Sequence, residues 1–540
     1  MIGKIFHSQT NSITGAALIL AISAFLSKFL GLFREGLLSS TFGAGSNLDV
    51  YFVAFRIPDF IYSILITGSI VVVFLPIFSE YFNENAKKAW EFTSNLLNIF
   101  LFSAVIICLF IFIFAPFLIK IIAPGFGIEQ INLAVSLTRL MLLSPILFGL
   151  SSILSGVLQY FNRFLAYSLA PIFYNLGIIL GILFLAPMFG IFGVALGVVL
   201  GAFFHFLIQV PSAINCGLRY KNILNFKDPG IKKIVKLLLP RIISSSAGEI
   251  NMIVLVAIAS TLVAGSVAIF NFAFNFYNFP IGIIGISFAI ASFPSMTKNW
   301  NEGKKEDFFN QLSLSFCKIL FLIIPISVLM FILRNPIVNV VLKHGQFTSS
   351  DAQLVSACLG IFCIGITGFA LIPLLARVFY SIQDTKTPTL ISVFAISLNV
   401  IFSFIFVGLL SSPGFLTDFL IKTFSLSNIE NIAILGLPMA MVVFTIADVF
   451  LFITFIYKKV GNFGLKKIVN SFIRIIFASV IMAIISYFIL GLISSMVDIQ
   501  TFWGAFWQLA ITGLVGVIMY FVASLVIKSP EALEIKNTIF

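Results

Sequence analysis

Apolar residues run along this chain in long blocks, with few polar breaks and no sustained alternation of period two. The stretch from Ser103 to Ile119 is almost solidly apolar, and comparable blocks recur towards the C-terminus. Crossing a bilayer takes ~20 residues of helix, and lipid offers no partner for backbone N–H and C=O groups. The blocks therefore predict membrane-spanning helices, whereas a barrel would show short alternating strands. They fall near 13–42, 49–81, 93–118, 134–160, 166–186, 189–213, 237–263, 267–297, 311–333, 353–381, 389–410, 432–457, 468–496 and 502–527. The expected fold class is an all-α membrane protein of about fourteen transmembrane helices.

Composition agrees with this reading. Of 540 residues, 60% are hydrophobic and only 10% charged, against about 25% charged in soluble domains. The first block is too long for the core of a cleavable signal, and it carries Lys28, Arg34 and Glu35. The cysteines (Cys108, Cys216, Cys317, Cys358 and Cys363) show no CxxC spacing and read as small apolar packing residues.

A net charge of +12 raises the question of nucleic acid, and its distribution answers it. With the N-terminus inside, most of the 32 Lys and Arg fall in cytoplasmic segments, among them Lys4, Lys87, Lys88, Arg219, Lys221, Lys232, Lys233, Lys458, Lys459, Lys466 and Lys467. The opposite side holds Lys120, Arg334, Lys343 and Lys422. That asymmetry predicts a cytoplasmic (inner) membrane protein with both termini cytoplasmic, and no nucleic-acid partner. Membrane lipids are its surroundings, and a monomer is the expected state.

The two halves resemble each other. Ser39-Ser40-Thr41-Phe42-Gly43-Ala44-Gly45-Ser46 is echoed 220 residues later by Ala259-Ser260-Thr261-Leu262-Val263-Ala264-Gly265-Ser266. Each string precedes an aromatic-rich block with an early proline (Pro58, Pro280) and a late one (Pro76, Pro294). Phe192 to Gly197 resembles Leu435 to Ala440, and Asn175 and Asn399 hold comparable places. The expected organisation is a six-helix lobe at 1–215, a basic cytoplasmic linker at 216–236, a second six-helix lobe at 237–458, and a final helix pair with a cytoplasmic tail at 459–540. Such a parallel repeat suits a transporter that binds its substrate between lobes and rocks.

Charges inside spans need partners or a cavity. Lys28 and Arg34 lie about 120° apart on one helix, so both can border one cavity; Arg34 can equally snorkel and pair with Glu35. Asp49 is either a helix N-terminal acid or a partner for a cavity cation, and Arg56, one turn before Pro58, has similar standing. Glu249, deep in the seventh block, requires a proton or a cation, for coupling or for structure. Prolines inside blocks, Pro240 and Pro373 among them, predict kinks. The histidines (His7, His205, His344) are scattered, with no HExxH and no Walker A loop. No enzyme, no metal and no cofactor is expected, and His205 reads as a packed residue.

Several motifs carry a family resemblance. Leu26 to Glu35, Phe42-Gly43-Ala44-Gly45, Asp49, Phe52 to Pro58, Ala123 to Phe126, Leu137-Thr138-Arg139, Gly156 to Gln159, Ala170-Pro171 and Phe279 to Gly282 resemble the MviN/MurJ-type lipid II flippases. The most specific stretch is Ala376-Arg377-Val378-Phe379-Tyr380-Ser381-Ile382-Gln383-Asp384-Thr385-Lys386-Thr387-Pro388. The resemblance implies a fold of the multidrug/oligosaccharidyl-lipid/polysaccharide exporter superfamily. It also implies export of undecaprenyl-pyrophosphate-linked disaccharide-pentapeptide for the cell wall, through a cationic cavity with a lipid-tail groove at the last helix pair. On it, Arg34 falls on a cavity arginine, Lys28 replaces another, and Asp49 falls on an aspartate. Tyr62 and Asn275 stand where arginines occur, and Thr67 replaces a glutamate.

Arginine forks a pyrophosphate where lysine offers a point charge. The expected substrate-binding set is therefore Lys28, Arg34, Asp49, Arg56, Tyr62 and Asn275. Glu249, Asn399, Arg377 and Asp384 are expected in coupling or structure. Two alternatives stay open: an exporter of another polyprenyl-linked oligosaccharide or of a drug-like cation, and a non-transporting scaffold in wall assembly.

Overall fold

The computed structural model describes residues 13–63, 70–429 and 431–539. Lys4, His7 and Thr67 lie outside them, as do the side chains of Pro240 and Arg241. All regular structure described is helical. Among the described residues eleven helices are long and apolar enough to cross a membrane. The three other predicted blocks are also helical: 13–42 throughout, 49–81 on both sides of 64–69, and 237–263 as far as Ser260.

The chain divides into two compact units, Met1–Val267 and Ala268–Phe540. The first holds α1 (Ile13–Phe42), α2 (Ser46–Tyr62), α3 (Ile70–Glu84), α4 (Ala86–Ile122), α5 (Ile128–Met141), α6 (Leu143–Tyr160), α7 (Phe164–Leu180), α8 (Ala186–Phe189), α9 (Ile191–Leu207), α10 (Val210–Asn215) and α11 (Pro229–Ser260). Its tightest packing joins α7 to α9 through glycine. A Cβ on Gly177 would lie 2.2 Å from the Gly201 Cα, and one on Gly181 2.4 Å from the Gly197 Cα. Small residues let helices approach closely where lipid supplies no hydrophobic drive, so α7 is held firmly and with it Asn175.

The basic connection after α10 is not a loose tether. Asn95 on α4 donates to the Asn225 carbonyl (2.9 Å) and accepts the Asn225 N–H (2.7 Å). Lys221 pairs with Glu91 at 2.7 Å and Lys233 with Glu80 at 2.8 Å. Asp228 caps α11 by accepting the N–H groups of Gly230 and Ile231, with Pro229 at the first helical position. The helix therefore starts two turns before the apolar block.

The second unit holds α12 (Ser266–Pro280), α13 (Ser287–Asn301), α14 (Lys305–Ile332), α15 (Arg334–Val341), α16 (Ser349–Ser381), α17 (Lys386–Leu410), α18 (Phe415–Phe424), α19 (Gly436–Val460), α20 (Leu465–Met496), α21 (Phe502–Val526) and α22 (Pro530–Ile539). A wide π-turn, Ile281–Ile286, follows Pro280, where the helical ladder lacks a donor. Helices α16, α17 and α19 pack together. A Cβ on Gly436 would meet the Val407 backbone N at 2.6 Å, and one on Gly368 the Thr445 Cγ2 at 2.4 Å.

Two helix ends share a left-handed cap, a form also found at Ser425 and Lys528. Asn162 and Gln383 both take positive φ, 54° and 62°. Each ends a helix with one hydrogen-bond pattern. The Arg163 N–H donates to the Leu158 carbonyl at 2.8 Å, and the Asp384 N–H to the Phe379 carbonyl at 2.9 Å.

Candidate functional site

The long helix α1 puts Lys28, Arg34 and Glu35 inside an otherwise apolar segment. The structure gives Arg34 two partners. Its Nη2 donates to Glu35 Oε1 at 2.5 Å and its Nη1 to Asn175 Oδ1 at 3.2 Å. The Arg34 side chain keeps 22% exposure while Glu35 keeps 5%. Asn175 is oriented in turn by donating to Ser27 O and Oγ (3.2 and 3.3 Å) and to Pro171 O (3.1 Å). Arg34 is thus paired with Glu35, and its Nε is enclosed without a hydrogen-bond partner, as is Glu35 Oε2.

Around this pair the first unit gathers further polar groups. Tyr51 and Tyr174 act on Arg34 electrostatically, together with Glu35. Asp59 and Glu249 act electrostatically on Arg56. Asp59 is within the influence of both arginines, and Tyr62 lies beside Asp59 with its ring edge-on to Phe148 at 4.7 Å. Lys28 is half-buried two turns back along α1.

Arg34 is paired with Glu35, and Asp59 and Glu249 bring negative charge to bear on Arg56. Such balance follows from cost: an unpaired charge at membrane depth costs ~2.5–3.5 kcal/mol on insertion scales. A cluster of this kind can accept an anion by exchanging a carboxylate for it on a guanidinium fork. Asp59 was missed among the candidates, although its charge stands in plain view after Pro58 in an apolar run.

Asp49 sits in the first turn of α2, 2% exposed, and its Oδ2 accepts the Gly265 backbone N–H at 2.6 Å. It ties the turn at Gly45 to the turn at Gly265, the two strings that the repeat matched. A Cβ on Gly265 would meet the Ala44 carbonyl oxygen at 2.2 Å, and its φ is +93°.

The specific stretch from Ala376 to Pro388 forms the α16–α17 connection. Asp384 accepts the N–H groups of Lys386 (3.1 Å) and Thr387 (3.0 Å), and Lys459 on α19 binds both Asp384 and the Thr387 hydroxyl. Burial pushes the Asp384 carboxyl up, but the hydrogen bonds from Lys459 and Thr387 outweigh it and hold the group at about 2. Arg377 donates to the Pro373 carbonyl one turn back (3.0 Å). Asn399 is fully enclosed on α17, and Asn275 is half-buried on α12. His205 is a packed residue: its Nδ1 shares a hydrogen bond with Ser151 Oγ at 2.7 Å, and its ring stands edge-on to Phe148. Among the described residues no group of His, Cys, Asp and Glu could hold a metal ion.

Comparison with known proteins bears on what the cluster serves. The family described as lipid II flippase MurJ matches residues 38–511. A probable lipid II flippase MurJ of Buchnera aphidicola is 28% identical over 494 residues, covering 88% of this chain and 96% of that protein. One from Borreliella burgdorferi is 32% identical over 394 residues, covering 73% and 78%. A solved structure of a lipid II flippase MurJ in an inward closed conformation superposes with a TM-score of 0.75 at 24% identity, over 94% of this chain and 98% of that one. An inward-facing multidrug resistance MATE transporter of the MOP superfamily reaches 0.64 at 16% identity, over 81% and 95%.

Proposed function

The chain belongs to the lipid II flippase MurJ family, and from that premise we propose how its residues serve the transport of lipid II. The protein is a multi-pass membrane transporter that flips lipid II, the undecaprenyl-pyrophosphate-linked peptidoglycan precursor, from the inner to the outer leaflet of the bacterial cytoplasmic membrane. It works by alternating access of two six-helix lobes, 1–215 and 237–458, joined by the basic segment 216–236 and followed by a helix pair. The echo of residues 39–46 in residues 259–266 supports that repeat. The excess of Lys and Arg in alternate connections supports cytoplasmic termini and about fourteen crossings.

The observation that carries the binding step is the Arg34 node. Its guanidinium is oriented by Asn175, carries one N–H still to be matched, and is neutralised by a neighbouring carboxylate. A pyrophosphate entering the cluster takes the place of Glu35 on the Arg34 fork, with a bidentate geometry that lysine cannot give. Lys28 and Arg56 add positive potential, while Tyr62 offers a hydrogen bond to the sugars and phosphates.

Reconstitution tests this reading. Purified protein in vesicles carrying lipid II in one leaflet should expose it to an impermeant label on the other side, and Arg34→Ala should lose at least ~10-fold in rate. Equal exposure in vesicles with and without the protein would overturn the reading.

A further inference from the structure

Asp448 stands at the middle of α19, is 2% exposed, and has its Oδ1 enclosed without a hydrogen-bond partner. A carboxylate so placed in a membrane helix needs either a cation or a proton. The helices packed on α19 are α16 and α17, and their titratable groups are engaged or placed elsewhere. Arg377 is turned to the Pro373 carbonyl, and Lys386 and Tyr380 are exposed near the α16–α17 connection. Gly368 lies against Thr445 and Val449, which puts Asp448 level with the following turn of α16, beyond Cys358 and Cys363. On α19 itself Lys459 binds Asp384, Lys458 lies over the Phe455 ring, and Tyr457 is exposed. Among the described residues no ion pair reaches Asp448, and no other charge acts on it.

A metal ion does not fit this place. One turn back on the same helix, the Thr445 hydroxyl is committed to the Met441 carbonyl at 2.7 Å. A bound ion would need several oxygens besides the Asp448 carboxylate, and among the described residues no group of three or more His, Cys, Asp and Glu could supply them. We propose that Asp448 is a proton-binding site of the transport cycle, loaded while α16, α17 and α19 are packed together and emptied when they part. Loading moves a proton from hydronium to a carboxylate oxygen, leaving water and a neutral carboxyl; release to water reverses it. The coupling to transport rests on the flippase reading; the bound proton does not.

Two measurements on the full-length protein decide the matter. Infrared difference spectra in light and heavy water should show a protonated carboxyl C=O band that vanishes in Asp448→Asn and shifts in Asp448→Glu. In lipid II vesicles the wild-type rate should change severalfold when a pH difference is imposed. Asp448→Asn, which copies the neutral acid in shape, should run at one rate whatever the difference, and the exposed control Asp418→Asn should behave as wild type. A band that survives in Asp448→Asn overturns the proton site, and a wild-type rate indifferent to pH overturns its coupling. If the wild type moves no lipid II under any gradient, the flippase reading falls and with it the coupling, while the band still decides the site.

Discussion

Asp49 Oδ2 accepts the backbone N–H of Gly265 at 2.6 Å, across 216 residues of sequence. The contact is buried and charge-assisted, a class worth about 1.5–3 kcal/mol. Asp49→Ala should therefore lower the thermal midpoint of the purified protein by several degrees, because the Gly265 N–H is left unmatched. Asp49→Asn retains an acceptor and should lose less. Gly265→Ala should be at least as damaging as Asp49→Ala, since its Cβ would fall 2.2 Å from the Ala44 oxygen at a φ of +93°. A midpoint unchanged in Asp49→Ala would show that the contact carries no stability.

The Arg34–Glu35 pair makes a prediction with two signs. Removing one partner of a buried pair costs about 3–5 kcal/mol, because the other charge is left uncompensated. At 22% exposure for Arg34 the cost should be nearer the lower figure. Glu35→Gln should therefore destabilise the protein in the absence of substrate. Lipid II, whose pyrophosphate then supplies the missing negative charge, should restore more stability to Glu35→Gln than to wild type. Thermal midpoints with and without lipid II measure both; an equal increment in the two proteins would mean that pyrophosphate and Glu35 do not compete for Arg34.

How far the molecule could be read beforehand differs between residues for physical reasons. Helical blocks are legible because lipid forces backbone pairing into each segment. Lys28, Arg34 and Asp49 stood out as charges in apolar runs. The partner of Asp49 did not, because hydrogen bonding across 216 residues leaves no mark on local composition. Asp59 and Asp448 were as visible as Glu249, yet a linear chain does not tell a carboxylate facing Arg56 from one facing none. The stretch from Ala376 to Pro388 marks a cap and a tie to Lys459 at a helix connection.

Asp384 gives a pH prediction. Its carboxyl is held at about 2, below the ~3.9 of an unfolded aspartate. A group held low in the folded protein contributes stability that is full above the unfolded value and is lost as pH falls through the folded one. The window is therefore between about pH 4 and about pH 2, and the exposed Lys459 limits the contribution to about 1 kcal/mol. Asp384→Asn should lie below wild type by that amount at neutral pH and converge with it near pH 2. Chemical denaturation across that range measures the gap. A gap that does not close on acidification would assign the loss to the Asp384 cap on α17, independent of charge.

The glycine seam between α7 and α9 positions Asn175, so changes there should reach Arg34 without touching it. A Cβ on Gly201 would lie 2.4 Å from the Tyr174 carbonyl oxygen, and one on Gly177 2.2 Å from the Gly201 Cα. Neither obstacle is a flexible side chain, so the helices must separate, and overpacking of this kind costs about 1–3 kcal/mol. Gly201→Val should lower stability and loosen the Asn175–Arg34 hydrogen bond together. Gly248→Ala, on α11, meets nothing within 4 Å and should be neutral or slightly stabilising, since alanine favours helix. The distinguishing measurement is lipid II flipping at a temperature where both variants stay folded. Gly201→Val should be slower than wild type and Gly248→Ala equal to it; equal rates for all three would mean that the seam holds the helices without setting the geometry of Arg34.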